Sequence, residues 1–388
     1  MRSKQALYMS IAAVLVGAAS PRVNAGDTGD GQPGWDREKA AQYLDDRMDL
    51  WFAKAAKLKT GEGKTSCMSC HAVVPYMLAR PALRKAMGVS SPTPQEMKLM
   101  EEIGRRVDTT GSHQLLYEHQ EGQSRGTEAV LNLLILAEAD AREHRQQPSE
   151  LVRKALQQLL QEQCPDGAWD WLDAGLEPNE SADARYGGAA LAAFALGRVP
   201  GLLAAGQDDA SSHIARLCAY LKGNSAGQNL YNRAWLLLAS TRLGNLLGRE
   251  QRAACIAELK GRQNEDGGWS LYGLGPWRWS KAAAQSAPGG DVNASLLAKS
   301  DGYATGLLAY VLRQAGLPAN DPGLKKATDW LKANQLECQI DQQRWKCWRS
   351  YSLNYDRENG GARGEPFKRM IMSDLATGFA VLALSPAE

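Results

Sequence analysis

The pattern that most restricts this chain's fold is a recurring helix end, Gln-x-x-x-Gly-x-Trp. It stands at Gln163-Cys-Pro-Asp-Gly167-Ala-Trp169 and again at Gln263-Asn-Glu-Asp-Gly267-Gly-Trp269. A third copy begins alike at Trp330-Leu-Lys-Ala-Asn-Gln335, with an insertion that delays its tryptophan to Trp345. Repetition of this kind marks an architecture whose units bury their apolar faces only against their neighbours. From Trp35 on, apolar residues recur every three or four positions, the period of a helix.

Each such amphipathic helix is followed by one rich in small residues. Examples are Tyr186-Gly-Gly-Ala-Ala-Leu-Ala-Ala-Phe-Ala-Leu196, Tyr303-Ala-Thr-Gly-Leu-Leu-Ala-Tyr-Val-Leu312 and Leu375-Ala-Thr-Gly-Phe-Ala-Val-Leu-Ala-Leu384. Small side chains suit a crowded inner ring, and charge-bearing amphipathic helices suit an outer one. The spacing predicts six pairs. Outer helices are expected near 36–57, 95–107, 149–163, 210–222, 250–263 and 322–336. Inner helices are expected near 71–86, 125–138, 183–197, 229–243, 301–315 and 373–385. The predicted fold class is all-α, an α/α toroid over residues 35–388.

These helix ends and alternating pairs resemble the squalene–hopene cyclase and protein prenyltransferase β-subunit superfamily, whose repeats build such a toroid. The resemblance covers most of the chain and speaks for fold more than chemistry. The cyclases' Asp-x-Asp-Asp acid cluster is absent, since Asp45-Asp46 lies mid-helix on an outer element. The prenyltransferases' zinc set, an Asp-x-Cys pair with a distant histidine, has no counterpart at a matching place. What the resemblance implies for a ligand is an apolar, isoprenoid-like molecule.

The chemistry-bearing motif is Cys67-Met68-Ser69-Cys70-His71. Two cysteines at this spacing can each bond one haem, and the adjoining histidine can then reach its iron; C-x-x-C-H is the attachment signature of haem c. Half of a zinc site or a plain disulfide are the rival readings. The motif falls where the first outer helix gives way to the first inner one, in a haem-binding first repeat of about 58–86. His71 is expected to open that inner helix, with Pro75 in its first turn, where proline is tolerated.

The N-terminus agrees with export. Arg2 and Lys4 precede an apolar run from Ala6 to Ala19, and Val23-Asn24-Ala25 offers small residues for cleavage after Ala25. Residues 1–25 then form a signal peptide and 26–34 a flexible lead, and a bacterial periplasm is the expected compartment. Beyond residue 25 there are 42 Lys plus Arg against 43 Asp plus Glu. That balance gives no electrostatic argument for nucleic acid or an anionic membrane surface, and no later stretch is long and apolar enough to span a bilayer. Cys338 and Cys347 are expected to pair in a disulfide.

The long connections, 264–300 and 337–372, fall on the motif's side of the ring, and long insertions of repeat proteins gather on one, often binding, face. They carry Trp277, Trp279, Trp345 and Trp348, which read either as packing residues or as an aromatic rim over the haem. Asp301 and Asp374 stand at inner-helix starts, as helix caps or as proton donors facing a cavity, with Tyr117 a further catalytic candidate. For the iron position opposite His71, the candidates are His113, His119 and Met372.

Three functions remain open. The expected one is a periplasmic haem oxidoreductase whose toroid binds an apolar molecule beside one covalent haem c. The second is an electron-transfer cytochrome or haem-bearing module that meets a redox protein partner. The third is a redox-silent cyclase, lyase or hydrolase on the same barrel.

Overall fold

Twelve α-helices alternate between two rings in a computed structural model that describes residues 34–61, 63–68, 70–109, 111–181, 183–203, 208–277, 297–340, 343–351, 353 and 370–386. The outer ring is α1 (Arg37–Lys54), α3 (Pro94–Asp108), α5 (Glu150–Gln161), α7 (Asp208–Asn224), α9 (Arg249–Gly261) and α11 (Pro322–Ala333). The inner ring is α2 (Val73–Ala86), α4 (Glu121–Arg142), α6 (Ala184–Leu196), α8 (Leu230–Ser240), α10 (Gly302–Gln314) and α12 (Ile371–Leu384). Each inner helix packs on the next, and α12 packs back on α2. The inner ring is therefore closed.

Local chemistry explains where the outer helices start. The side chains of Asp36, Thr93, Ser149 and Asp321 accept from backbone N–H groups of the first turn of α1, α3, α5 and α11. Thr93 and Glu96 form a reciprocal capping box, and Pro94 and Pro322 take first-turn positions where an N–H is not needed. The inner helices approach closely because small residues face their neighbours. A Cβ on Gly306 would stand 2.5 Å from the Ala380 nitrogen, and one on Gly378 would stand 2.5 Å from the Pro75 Cβ.

The repeated helix ends are inter-repeat staples. The Gln163 amide donates to the Gly167 carbonyl and to the His213 carbonyl on α7, both at 3.0 Å. Gln263 does the same toward Gly267 (2.8 Å) and Gly323 on α11 (2.9 Å). Gly167 and Gly267 have φ of 98° and 93°, and each lies against the backbone of the next outer helix, at Arg216 and Lys326. Both constraints select glycine. The indoles of Trp169 and Trp269 reach back to the Leu159 and Leu259 carbonyls at 2.7 and 2.8 Å.

In the third copy the structure corrects the tryptophan. Trp348, not Trp345, donates to the helix end, at the Leu331 carbonyl (2.7 Å). A hairpin fills the insertion, β3 (Leu336–Ile340) paired antiparallel with β4 (Gln343–Cys347), and Cys338 and Cys347 are joined by a disulfide. A second hairpin, β1 (Lys57–Thr60) with β2 (Gly63–Ser66), precedes the C-x-x-C-H motif. Helical periodicity gave no sign of either hairpin.

The third staple also joins the last outer helix to the first. Gln335 accepts from the Asp36 nitrogen (2.7 Å) and donates to the Asp36 carbonyl (2.9 Å). One layer inward, Arg47 of α1 holds Asp374 of α12 in a buried two-pronged ion pair of 2.7 and 2.8 Å, and the Tyr43 hydroxyl adds a third bond of 2.7 Å. Removing one partner of such a pair strands a buried charge. Arg47→Ala is expected to cost about 3–5 kcal/mol in denaturant unfolding, well above an exposed arginine such as Arg153.

Candidate functional site

The motif is presented between β2 and α2. Cys67, Cys70 and His71 are all buried, and neither cysteine is in a disulfide. The α2 helix begins at Val73, so His71 sits two residues before it and Pro75 lies in its first turn. Trp51 of α1 donates to the Cys67 carbonyl at 3.1 Å and sets its ring edge-on to the His71 imidazole, 6.1 Å between centroids. Glu180, from the connection before α6, lies 3.3 Å from the Cys70 sulfur and 3.6 Å from His71 Nδ1. Donor atoms of Cys70, His71 and Glu180 all fall within 4.8 Å of one another. Burial first, and then the nearby Glu180 carboxylate, push the Cys67 thiol up to about 12.

A polar network fixes the preceding hairpin. Arg106 of α3 donates to the Thr65 hydroxyl at 3.0 Å and to the Gln114 carbonyl at 3.3 Å, and it grips both Glu128 oxygens at 2.6 Å. The Ser66 N–H is bonded to Glu102 at 2.8 Å. Burial opposes ionisation of Glu128, but hydrogen bonds from His113 and the Arg106 charge outweigh it and hold this carboxyl down to about 2. A carboxyl depressed in the folded state stabilises above its ordinary range, near 4.3, and loses that contribution as pH falls through its folded value.

Beside the motif, all six inner helices contribute to the lining of a small, partly open cavity of about 30 Å³. Cys70 and Val74 come from the motif side, Leu131 from α4, Leu191 from α6, Trp235 from α8, and Leu375 and Phe379 from α12. A polar cluster stands in the lining. The Tyr231 and Tyr303 hydroxyls are 2.7 Å apart, and Tyr231 donates to the Asn179 side-chain oxygen Oδ1 at 3.1 Å.

The residues singled out from sequence separate into groups. Tyr117 is near the motif: its hydroxyl is pushed up by burial, then by Glu180 and the two thiols. His119 is exposed, with its ring against Tyr117 at 5.8 Å. His113 has both ring nitrogens engaged, Nδ1 at 3.3 Å from the Thr109 carbonyl and Nε2 at 3.4 Å from Glu128. It is a support for the hairpin and not an available ligand. Met372 is buried and shares the i, i+3, i+7 face of α12 with Leu375 and Phe379, which line the cavity.

The two acids at inner-helix starts bond within the fold, Asp301 in the capping role and Asp374 in an ion pair. Asp301 caps α10, accepting from Tyr303 N, Ala304 N and the Ser350 hydroxyl with one oxygen and from Leu271 N with the other. Burial raises it to about 6, and its donors all come from the fold itself. Asp374 is committed to Arg47 and Tyr43. The aromatic rim shrinks as well. Trp345 and Trp348 are buried, donating to Asp46 (2.7 Å) and to the Leu331 carbonyl. Trp277 packs on Tyr231 at 5.5 Å between centroids and donates to the Tyr272 carbonyl. Trp279 lies outside the described residues, as do residues 1–33 with the expected signal peptide.

Glu180, Asn179, Tyr231 and Tyr303 were not singled out from sequence. A signal for the tyrosines existed, because Tyr186, Tyr231 and Tyr303 each stand in the first turn of an inner helix. Glu180 and Asn179 sit in a connection without repeat register and carry no such mark.

No protein-family model matches the chain, and no curated protein matches it. Solved structures do. An unsaturated glucuronyl hydrolase solved with dGlcA-Glc-Rha-Glc superposes with a TM-score of 0.51 at 14% identity, covering 89% of this chain and 94% of that one. The α-1,6-mannanase of Salegentibacter sp. HEL1_6, solved with α-1,6-mannotriose, gives 0.46 at 12% identity over 90% and 99% of the chains. At this identity the first likeness establishes a shared α/α toroid and nothing about substrate. Among the described residues no helix is long and apolar enough to cross a membrane.

Glu128→Gln is expected to lower stability by about 1–3 kcal/mol at pH 7. The gap to the native protein should narrow as pH falls from about 5 toward 2 in denaturant titrations.

Proposed function

We propose that the protein is a periplasmic haem c oxidoreductase, with one haem joined to Cys67 and Cys70 and its iron held by His71, at the apolar lining of the inner ring. The observation that carries this is the placement of C-x-x-C-H, with both thiols outside any disulfide and Cys70 in the wall of the six-helix cavity. The donor set fits the group. Each thiol can add its sulfur and proton across a vinyl double bond, which forms a thioether with no net oxidation. A neutral imidazole is a good iron ligand, and a carboxylate near its other nitrogen orients it and raises its basicity. Glu180 is placed for that role.

When bound, the haem supplies one-electron redox chemistry. The chain's part is to hold and enclose. Trp51 and Glu180 fix the His71 ring from two sides. Met372, buried on α12, would be a further candidate to help hold the group. Tyr117, close to the thiols and Glu180, stays protonated at neutral pH and can serve as a proton donor there. Electron exchange with a redox protein partner would pass through the motif's mouth of the ring.

A second reading has one observation in its favour. Cys70, His71 and Glu180 also match the donor types of a mononuclear zinc site. A hydrolase reading has the shared α/α toroid in its favour; such enzymes need two carboxyl groups open to substrate, and Asp301 and Asp374 are both buried with hydrogen bonds made inside the fold.

Protein produced with a haem c attachment system should stain for haem on a denaturing gel. Cys67→Ala/Cys70→Ala should abolish the stain while the fold persists by circular dichroism. Zinc without haem in the purified native protein would contradict the proposal.

A further inference from the structure

At the mouth of the ring away from C-x-x-C-H, where the inner helices end, a second pocket of about 230 Å³ opens between α2, α4, α10, α12 and the turns that follow α6 and α8. Its described lining carries four arginines, Arg142, Arg198, Arg242 and Arg313, against one carboxylate, Glu138. Glu138 is buried, lies 3.3 Å from Arg198 Nε and accepts from Arg242 Nη1. Burial opposes its ionisation, but the charges of Arg242, Arg142 and Arg198 hold its carboxyl below the ordinary value. Even with Glu138 ionised, the lining keeps an excess of three positive charges.

Support of the fold accounts for part of this arrangement. Pro81 inside α2 has no N–H, so the Met77 carbonyl lacks its helical donor. Arg142 supplies one at 3.0 Å and bonds the Leu78 carbonyl at 2.9 Å. Arg313 donates to carbonyls at the end of α12, those of Leu382, Ala383 and Ser385, at 2.7, 2.9 and 2.5 Å. Such carbonyls bring only partial negative charge, and among the described residues Arg313 bonds to nothing else. Burial pushes its guanidinium down from the ordinary value, as expected of a cation short of a counter-ion. Its Nε and the buried Ser385 hydroxyl, both in the wall of this pocket, have no hydrogen-bond partner. Arg242 lies over the Phe194 ring at 3.4 Å and hydrogen-bonds through Nη1 alone, so the rest of its fork is uncommitted. Carbonyl capping explains neither the surplus of guanidiniums nor the space left between them.

An anion meets both conditions. Arginine forks pair with the oxygens of phosphates and carboxylates. Guanidiniums supplied from four positions around the ring suit a tetrahedral group, whose oxygens point several ways, better than a planar carboxylate. The volume lies just below the usual range for drug-sized ligands, so the anion is small. We propose that this pocket binds a small phosphate-bearing anion of two or more charges, inorganic phosphate and diphosphate being its simplest members, held by Arg198, Arg242 and Arg313. The site is separate from C-x-x-C-H, and the proposal does not depend on what that motif holds.

The test is a calorimetric titration of the mature protein at low ionic strength with inorganic phosphate, diphosphate, sulfate and citrate. Diphosphate should bind tightest, about tenfold ahead of sulfate and of citrate. Glycerol 3-phosphate, run beside inorganic phosphate, tells an esterified phosphate from the free ion by which of the two binds more tightly. Arg198→Gln, at a partly exposed side chain and so tolerant of change, should weaken diphosphate about tenfold. Glu138→Gln removes the competing carboxylate. It should lower the melting temperature of the unliganded protein yet tighten diphosphate about tenfold. A cluster that serves the fold alone would show that loss of stability with no gain in binding. No heat of binding up to millimolar diphosphate, an order led by citrate or sulfate, or a diphosphate affinity unchanged by Arg198→Gln would overturn the proposal.

Discussion

Ring closure is the constraint on which the rest of this structure depends. A helix pair cannot bury its own apolar face, so each relies on the next, and the last pair must find the first. The seam is made by polar bonds of defined geometry: Gln335 to Asp36 in the outer layer, and Arg47 with Tyr43 to Asp374 in the inner one. Across that seam α12 lies on α2, and Gly378 leaves room for Pro75. The helix that follows C-x-x-C-H is thus held by the end of the chain. The cavity beside Cys70 exists only once those ends have met.

The same seam explains why the motif is placed where it is. In the third and fifth pairs, the outer-to-inner junction carries the glutamine–glycine–tryptophan staple that binds the next outer helix. In the first pair that junction carries a hairpin and C-x-x-C-H in place of the staple. Trp51 and the Arg106 network hold the segment instead. C-x-x-C-H occupies a position that in the third and fifth pairs serves packing, and Trp51 and Arg106 give the segment its support.

Much of this was legible in the sequence. All six helix pairs stand within a few residues of where periodicity and small-residue content put them, because burial against a neighbour imposes the same pattern on every unit. The Cys338–Cys347 pairing was legible too. Less legible were features set by contacts between distant segments. Short charged strands such as Lys57–Thr60 leave no period to read. Trp345 and Trp348 looked alike in sequence, and only the hairpin between Gln335 and Trp348 shows which one staples. Asp301 and Asp374 are acids at helix starts by sequence, and their full set of donors is visible only in three dimensions. Glu180 meets His71 across more than a hundred residues.

The claim at the centre of this account is that iron, bound at His71, sits at the edge of the six-helix cavity. Anomalous diffraction from crystals of the mature protein, recorded on either side of the iron and zinc absorption edges, tests it most directly. The account predicts a single peak at the iron edge, next to His71, with density continuing to both Cys67 and Cys70. A peak only at the zinc edge between Cys70, His71 and Glu180, or no metal peak at the motif, would contradict it.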